Sequence, residues 1–316
     1  MANKLVIAAI VAFVAVDIVL AVAAVQHVRT TPPTDKDAIS IPTSAASSTA
    51  GQLQPSGSPS SQPPETVTPS QTSQSQQPSE PTSSLGLLSI GNDGTILRAT
   101  PGNCRSDQTG EVEVSTDGGV SFRTVFAGVR QVLRVVAVSR ADLWFVGTDE
   151  SCQPAVERSS DTGTSWVRSP GTAGAYHLSS SNDAALVHAP DGPVTVDCAA
   201  VGVAPVNVDI AFIGCEDGTI LRTLDRGQTW APRGRLEGLV SLSFRDAKTA
   251  FALASQSRCP SAAMTTEDAG ETWKFAECLK GDRPKAIATN ANKLVAQVSG
   301  DILVSDDDGQ TWAPAS

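Results

Sequence analysis

Ser115-Thr116-Asp117-Gly118-Gly119-Val120-Ser121-Phe122 is the first of five octamers that share one pattern, S/T-x-D-x-G-x-S/T-W/F. It returns as Ser159-Ser160-Asp161-Thr162-Gly163-Thr164-Ser165-Trp166 and as Thr223-Leu224-Asp225-Arg226-Gly227-Gln228-Thr229-Trp230. Thr266-Glu267-Asp268-Ala269-Gly270-Glu271-Thr272-Trp273 and Ser305-Asp306-Asp307-Asp308-Gly309-Gln310-Thr311-Trp312 complete the set. The chemistry is that of a turn. The Asp can accept hydrogen bonds from backbone N–H groups ahead of it, and the Gly supplies a positive φ. The closing aromatic (Trp in four copies) then plugs under the hairpin.

The octamer aspartates are 44, 64, 43 and 39 residues apart. Periods of about 40–45 suit a four-stranded propeller blade. The long gap reads as a short extra blade without an octamer. β-rich runs precede the octamers, such as Leu143-Trp144-Phe145-Val146-Gly147 and Gly218-Thr219-Ile220-Leu221-Arg222-Thr223, and Gly94-Thr95-Ile96-Leu97-Arg98 echoes the latter. No stretch of this region shows sustained helical periodicity. The expected fold is all-β: a propeller over 85–316, with blades at 85–127, 128–170, 171–200, 201–235, 236–280 and 281–316. Each octamer would join the third and fourth strands of its blade. Seven blades, with an extra one inside 167–215, is the alternative.

The rest of the chain is unlike this. In residues 31–84, Pro, Ser, Thr and Gln fill 39 of 54 positions, and no aromatic occurs between Phe13 and Phe122. Such a stretch cannot bury enough apolar surface to offset chain entropy, so a disordered linker is expected. It would reach ~40 Å as a coil and ~165 Å as polyproline II. Before it, in residues 1–30, Leu5–Val25 is apolar apart from Asp17, long enough to cross ~30 Å of bilayer. We read it as an uncleaved anchor with Lys4 inside. Cleavage near Ala21-Val22-Ala23 is the alternative, since Asp17 would cost about 2.5–3.5 kcal/mol. Either way 85–316 is exported. That region has 20 basic and 28 acidic groups within a chain charge of −10, which argues against a nucleic-acid partner. Sixteen Arg to seven Lys, with abundant Ala and Val, fits a GC-rich bacterial genome.

All six cysteines (Cys104, Cys152, Cys198, Cys215, Cys259 and Cys278) lie in the exported region, without CxxC spacing. Only three histidines are present, so neither a zinc site nor any other metal or cofactor is expected. Disulfides are expected instead, with fifteen pairings open. Strand placement favours Cys259–Cys278, across one hairpin, then Cys104–Cys152, between second-to-third-strand loops of neighbouring blades. Cys198–Cys215 follows by elimination.

The octamer resembles the Asp box, or bacterial neuraminidase repeat, of sialidase-like propellers. Gly-Thr-Ile-Leu-Arg-Thr followed by the box looks like the propellers of photosystem II assembly factors. The resemblance covers about 84–316 and implies that the box is a structural turn facing away from any active site. Asp117, Gly119 and Phe122 are then structural, as are Asp161, Gly163 and Trp166. The same holds for Asp225, Gly227 and Trp230, for Asp268, Gly270 and Trp273, and for Asp307, Gly309 and Trp312. A sialidase would also need an arginine triad and a Tyr–Glu nucleophile pair. Tyr176 is the one tyrosine, Arg98, Arg134 and Arg222 supply three arginines by number only, and no Phe/Tyr-Arg-Ile-Pro segment occurs. No catalytic residue is therefore assigned.

The functional reading is a membrane-anchored extracytoplasmic propeller that binds or assembles an envelope protein or a glycan. A glycan-cleaving enzyme and a structural envelope component are the alternatives. The longer loops opposite the octamers are the expected contact surface, around Arg105, Asp149, Glu150, Glu216, Asp217 and Arg258.

Overall fold

The computed structural model describes residues 87–316, apart from Ala173 and Asn182. The apolar segment and the Pro/Ser-rich linker lie outside the described residues. The described chain forms six antiparallel sheets around one axis. Blade 1 runs Leu87–Ile90, Ile96–Thr100, Gly110–Ser115 and Arg123–Val129; blade 2 runs Val132–Ser139, Asp142–Thr148, Pro154–Ser159 and Val167–Pro170. Among the described residues blade 3 has three strands, His177–Leu178, Leu186–Ala189 and Gly192–Thr195. Blade 4 is Ala200–Pro205, Ala211–Cys215, Thr219–Thr223 and Ala231–Arg235. Blade 5 is Leu239–Phe244, Ala250–Gln256, Cys259–Thr266 and Lys274–Cys278, and blade 6 is Pro284–Thr289, Leu294–Val298, Asp301–Ser305 and Ala313–Pro314. The ring has six blades, not seven. All three expected disulfides form: Cys259–Cys278 and Cys104–Cys152, favoured by strand placement, and Cys198–Cys215, reached by elimination.

In the four-stranded blades the first strand faces the axis, and each octamer links the third strand to the outer one. Alternation explains the packing: Leu143 and Phe145 turn toward blade 1, while Trp144 and Val146 turn toward blade 3. Large side chains thereby meet between blades. The octamer aromatic closes on its own turn as expected, Nε1 of Trp166, Trp230 and Trp312 donating to the octamer glycine O at 3.2, 3.1 and 3.0 Å, and it also reaches the preceding blade. Trp166 packs on Val125 and Phe126 of blade 1, and its Nε1 donates to Val125 O at 3.0 Å. Trp230 meets Tyr176 of blade 3, Trp273 the blade 4 core, and Trp312 the blade 5 core. Phe122 packs with Val304 and Ala315 of blade 6, closing the ring. The octamer glycine makes room for this approach. A Cβ on Gly227 would fall 2.4 Å from the Ala189 Cβ of blade 3, and its φ is +84°.

Blade 3 departs from the plan by its inner strand. Its turn after Ala189 sits beside the blade 4 octamer, because Asp191 accepts from Arg226 Nε at 3.0 Å and from Gln228 Nε2 at 3.1 Å. That turn takes the place of an octamer, so the three strands match the second, third and fourth of the other blades. The missing one is the strand nearest the axis. Irregular backbone before His177 fills part of the gap, and Arg134 of blade 2 reaches in to donate from Nη1 to Tyr176 O at 2.9 Å.

Candidate functional site

The ring exposes two rims. One carries the octamer turns and the loops after first strands. The other carries the loops after second strands and the connectors between blades. The octamer rim is chemically closed. In every octamer the Asp Oδ1 accepts from the first-position hydroxyl, as in Thr223 Oγ1 to Asp225 at 2.7 Å, and from the seventh-position N–H, Thr229 N at 3.0 Å. The other carboxylate oxygen accepts from the seventh hydroxyl, Thr229 Oγ1 at 2.6 Å. The glycine N–H donates to the first-position oxygen, Gly227 N to Thr223 Oγ1 at 2.9 Å. Asp117, Asp161, Asp268 and Asp307 repeat this set.

These bonds favour the charged carboxylate. The seventh-position hydroxyl is the largest influence and holds Asp161, Asp225, Asp268 and Asp307 at a pKa of about 2. Asp117 is held lower still, chiefly by Ser121. Groups so committed have little left for a substrate. The residue before each glycine also takes a positive φ: Thr162 at 61°, Arg226 and Ala269 at 65°, Asp308 at 60°. No sequence signal marks that position, because only Gly118 among the five advertises it.

The opposite rim carries the disulfides. Cys104–Cys152 ties the 101–109 loop of blade 1 to the 149–153 loop of blade 2, with Cα atoms 5.8 Å apart. This brings the loop of Arg105 beside that of Asp149 and Glu150. Cys198–Cys215 fixes the connector entering blade 4 against the end of its second strand, next to Glu216 and Asp217. Cys259–Cys278 anchors the turn that bears Arg258. The six expected binding residues therefore fall into three patches on one rim. Their roles divide. Asp149 accepts from Ser151 N and Gln153 N at 2.9 Å each and pairs with Arg168 at 3.3 Å. Asp217 accepts from Thr219 N and Oγ1 at 2.9 Å, and these bonds lower its pKa. Both hold turns. Arg105, Glu150, Glu216 and Arg258 are exposed and make no ion pair among the described residues.

The arginines and the tyrosine named from sequence do not assemble. Arg98 pairs with Glu113 at 2.8 Å and stacks on Phe122, while Arg222 lies in the third strand of blade 4. Arg134 alone lines the central channel. Tyr176 is buried, its hydroxyl donates to Val208 O at 3.1 Å, and burial pushes its pKa up to about 12. A buried, neutral phenol hydrogen-bonded to the backbone is not poised as a nucleophile. His177 and His188 stack with ring centroids 4.4 Å apart. Both His177 nitrogens are engaged, by Leu178 O at 2.8 Å and Thr172 Oγ1 at 3.1 Å, and burial holds its pKa near 4.

Comparison with known proteins adds little to this geometry. No family model and no curated protein matches the chain. Among solved structures, YCF48 bound to a D1 peptide is 18% identical, over 74% of this chain and 67% of that one, with a TM-score of 0.31. YCF48 from Cyanidioschyzon merolae is 11% identical over 69% of this chain and 80% of its own, with a TM-score of 0.40. A GH74 enzyme from Niastella koreensis is 12% identical over 73% of this chain, with a TM-score of 0.35, and the match spans only 36% of that enzyme. These likenesses are distant. The six-bladed ring stands on the strand pairing described above.

Proposed function

We propose that this chain is a membrane-anchored, extracytoplasmic binding module whose disulfide-bearing rim holds a protein or glycan partner of the cell envelope. One observation carries the reading: the three disulfides of the described residues all lie on the rim opposite the octamers. Each steadies a loop bearing exposed charge. Loops on a rigid scaffold are where recognition concentrates, and ordering them beforehand lowers the entropy lost on binding. The third-position aspartates of the octamers are satisfied within their own turns, which supports reading the octamers as Asp boxes with a structural duty. In this reading Leu5–Val25 tethers the module and 31–84 holds it off the membrane.

The test is partner capture by crosslinking mass spectrometry on intact cells. Glu150→Lys with Glu216→Lys should weaken it severalfold. The control is Asp209→Lys with Lys248→Glu on the octamer rim, chosen because neither residue makes an ion pair among the described residues. Loss with the control pair alone would place the partner on the wrong rim for this proposal.

A further inference from the structure

A groove of about 220 Å³ lies between the outer strands of blades 3 and 4. Blade 1 lays the seven-residue strand Arg123–Val129 against the next octamer aromatic, with Val125 and Phe126 on Trp166. Blade 3 brings only the four-residue Gly192–Thr195 to Trp230, and that strand has no aromatic. Trp230 therefore walls an open groove, with the buried Leu221 and Val196 at its base. The polar atoms there are mostly acceptors. Asp197 is exposed and forms no ion pair among the described residues. Asp217 accepts from Thr219 N at one oxygen and Thr219 Oγ1 at the other, which fixes its carboxylate and keeps it charged. Gln228 turns its amide nitrogen to Asp191, and Trp230 Nε1 donates to Gly227 O, so few donors remain. No lysine or arginine is among the lining residues, Arg235 lying outside them. The Cys198–Cys215 bridge steadies both aspartates, because Asp197 precedes one cysteine and Asp217 closely follows the other.

Acceptors and fixed negative charge beside an indole suit a guanidinium, which is planar, carries only donors and is drawn to an aromatic face. The chain makes this contact itself on another octamer aromatic: Arg98 Cζ lies 3.8 Å from the Phe122 ring centroid, and Arg98 pairs with Glu113 at 2.8 Å. We propose that the groove takes an arginine side chain of a protein partner, with its guanidinium on Asp197 and against the Trp230 ring. The volume equals about seven waters at about 30 Å³ each, close to the heavy-atom count of that side chain. A sugar would bring acceptor oxygens to a lining poor in donors. The inference rests on the rim reading above and narrows its partner to a protein.

The full chain in zwitterionic lipid nanodiscs, titrated with acetyl-Gly-Arg-Gly-amide by ligand-observed NMR against empty discs, tests it. Saturable one-site binding is expected. The matching citrulline peptide, which keeps the shape without the charge, should bind about fivefold weaker or worse. Asp197→Asn should weaken the arginine peptide about threefold or more, while Asp301→Asn, on the same rim in blade 6, should leave it unchanged. Thr195→Phe should also weaken it, because the larger side chain fills the groove and leaves both carboxylates in place. No saturable binding by the wild type, equal affinity for the citrulline peptide, a preference for cellobiose, or undiminished binding by Asp197→Asn or Thr195→Phe would each overturn the proposal. If the arginine peptide fails while Glu150→Lys with Glu216→Lys still weakens partner capture, the rim reading stands and the arginine groove alone falls. If capture survives that pair of changes as well, both fall.

Discussion

Blades 3 and 4 are neighbours, and each makes the turn before its outer strand by a different means. In blade 4 the turn is an octamer: Thr223, Asp225, Gly227 and Thr229 satisfy one another, and Trp230 projects across the border. In blade 3 the turn at Pro190–Asp191 has no such set, and Asp191 gives its carboxylate to Arg226 and Gln228 of blade 4. One blade carries its own stabilising bonds and lends an aromatic to its neighbour. The other leans on both sides, on blade 4 for its turn and on Arg134 of blade 2 for the gap near the axis. Local stability in a single ring is therefore uneven.

Removing the shared aromatic should damage both blades most. Trp230→Ala deletes a side chain packed on Tyr176 and the blade 4 core, and should cost about 3 kcal/mol, as for other core aromatic deletions. Chemical denaturation measures this. If the loss proved confined to blade 4, the dependence of blade 3 on it would be disproved.

Acid should separate the two blades next. His177 has a folded pKa near 4, below its unfolded value of about 6.5, so the unfolded chain binds the proton first. Its contribution is complete above pH 6.5 and is lost as pH falls toward 4, by about 2–3 kcal/mol. The octamer aspartates have depressed pKa values near 2. Their contribution is therefore intact above about pH 4 and is lost only as pH falls toward 2. Hydrogen exchange at pH 7 and pH 4.5 should show blade 3 loosening while blades 4 and 5 hold. His177→Gln should flatten that difference.

Smaller changes refine the picture. Tyr176→Phe loses the bond to Val208 O and should cost about 1 kcal/mol by thermal melting. Asp191→Asn breaks an exposed ion pair, so its Tm shift should be the least of the four and should vanish at high salt.

The sequence disclosed the octamer blades because their chemistry is local: a carboxylate, a glycine and two hydroxyls within eight residues can close a turn by themselves. Two disulfides were legible because loop positions follow once the strands are placed, and Cys198–Cys215 was left by elimination. Three features were not legible. The octamer aromatics cross to the preceding blade, which depends on the ring and not on the hairpin. The strand absent from blade 3 leaves no signal in Gly171–Ser181, where small and polar residues carry no period. Arg134 reads in sequence like any alternating polar residue of Leu133-Arg134-Val135. A register shift between Val132 and Arg134, and the gap beside it, let it reach across to Tyr176 of blade 3. Of the rim residues, sequence located Asp149 and Asp217 but could not show that both are spent on turns.

The direction in which the octamer aromatics point has a kinetic consequence. Each seals the border behind it, so five of the six borders close on an octamer aromatic. The border between blades 2 and 3 has no octamer aromatic: it holds Leu133, Val146 and Ala175 with the half-buried Trp144 and Val156, and Arg134 reaches across it. That border should be the last to form and the first to part. Once it opens, the circle becomes a row of six units in the order 3-4-5-6-1-2, each held by its nearest neighbours in the manner of a linear repeat array. The lifetime of the native ring is then set by how fast one poorly sealed joint opens, however well the other five are packed.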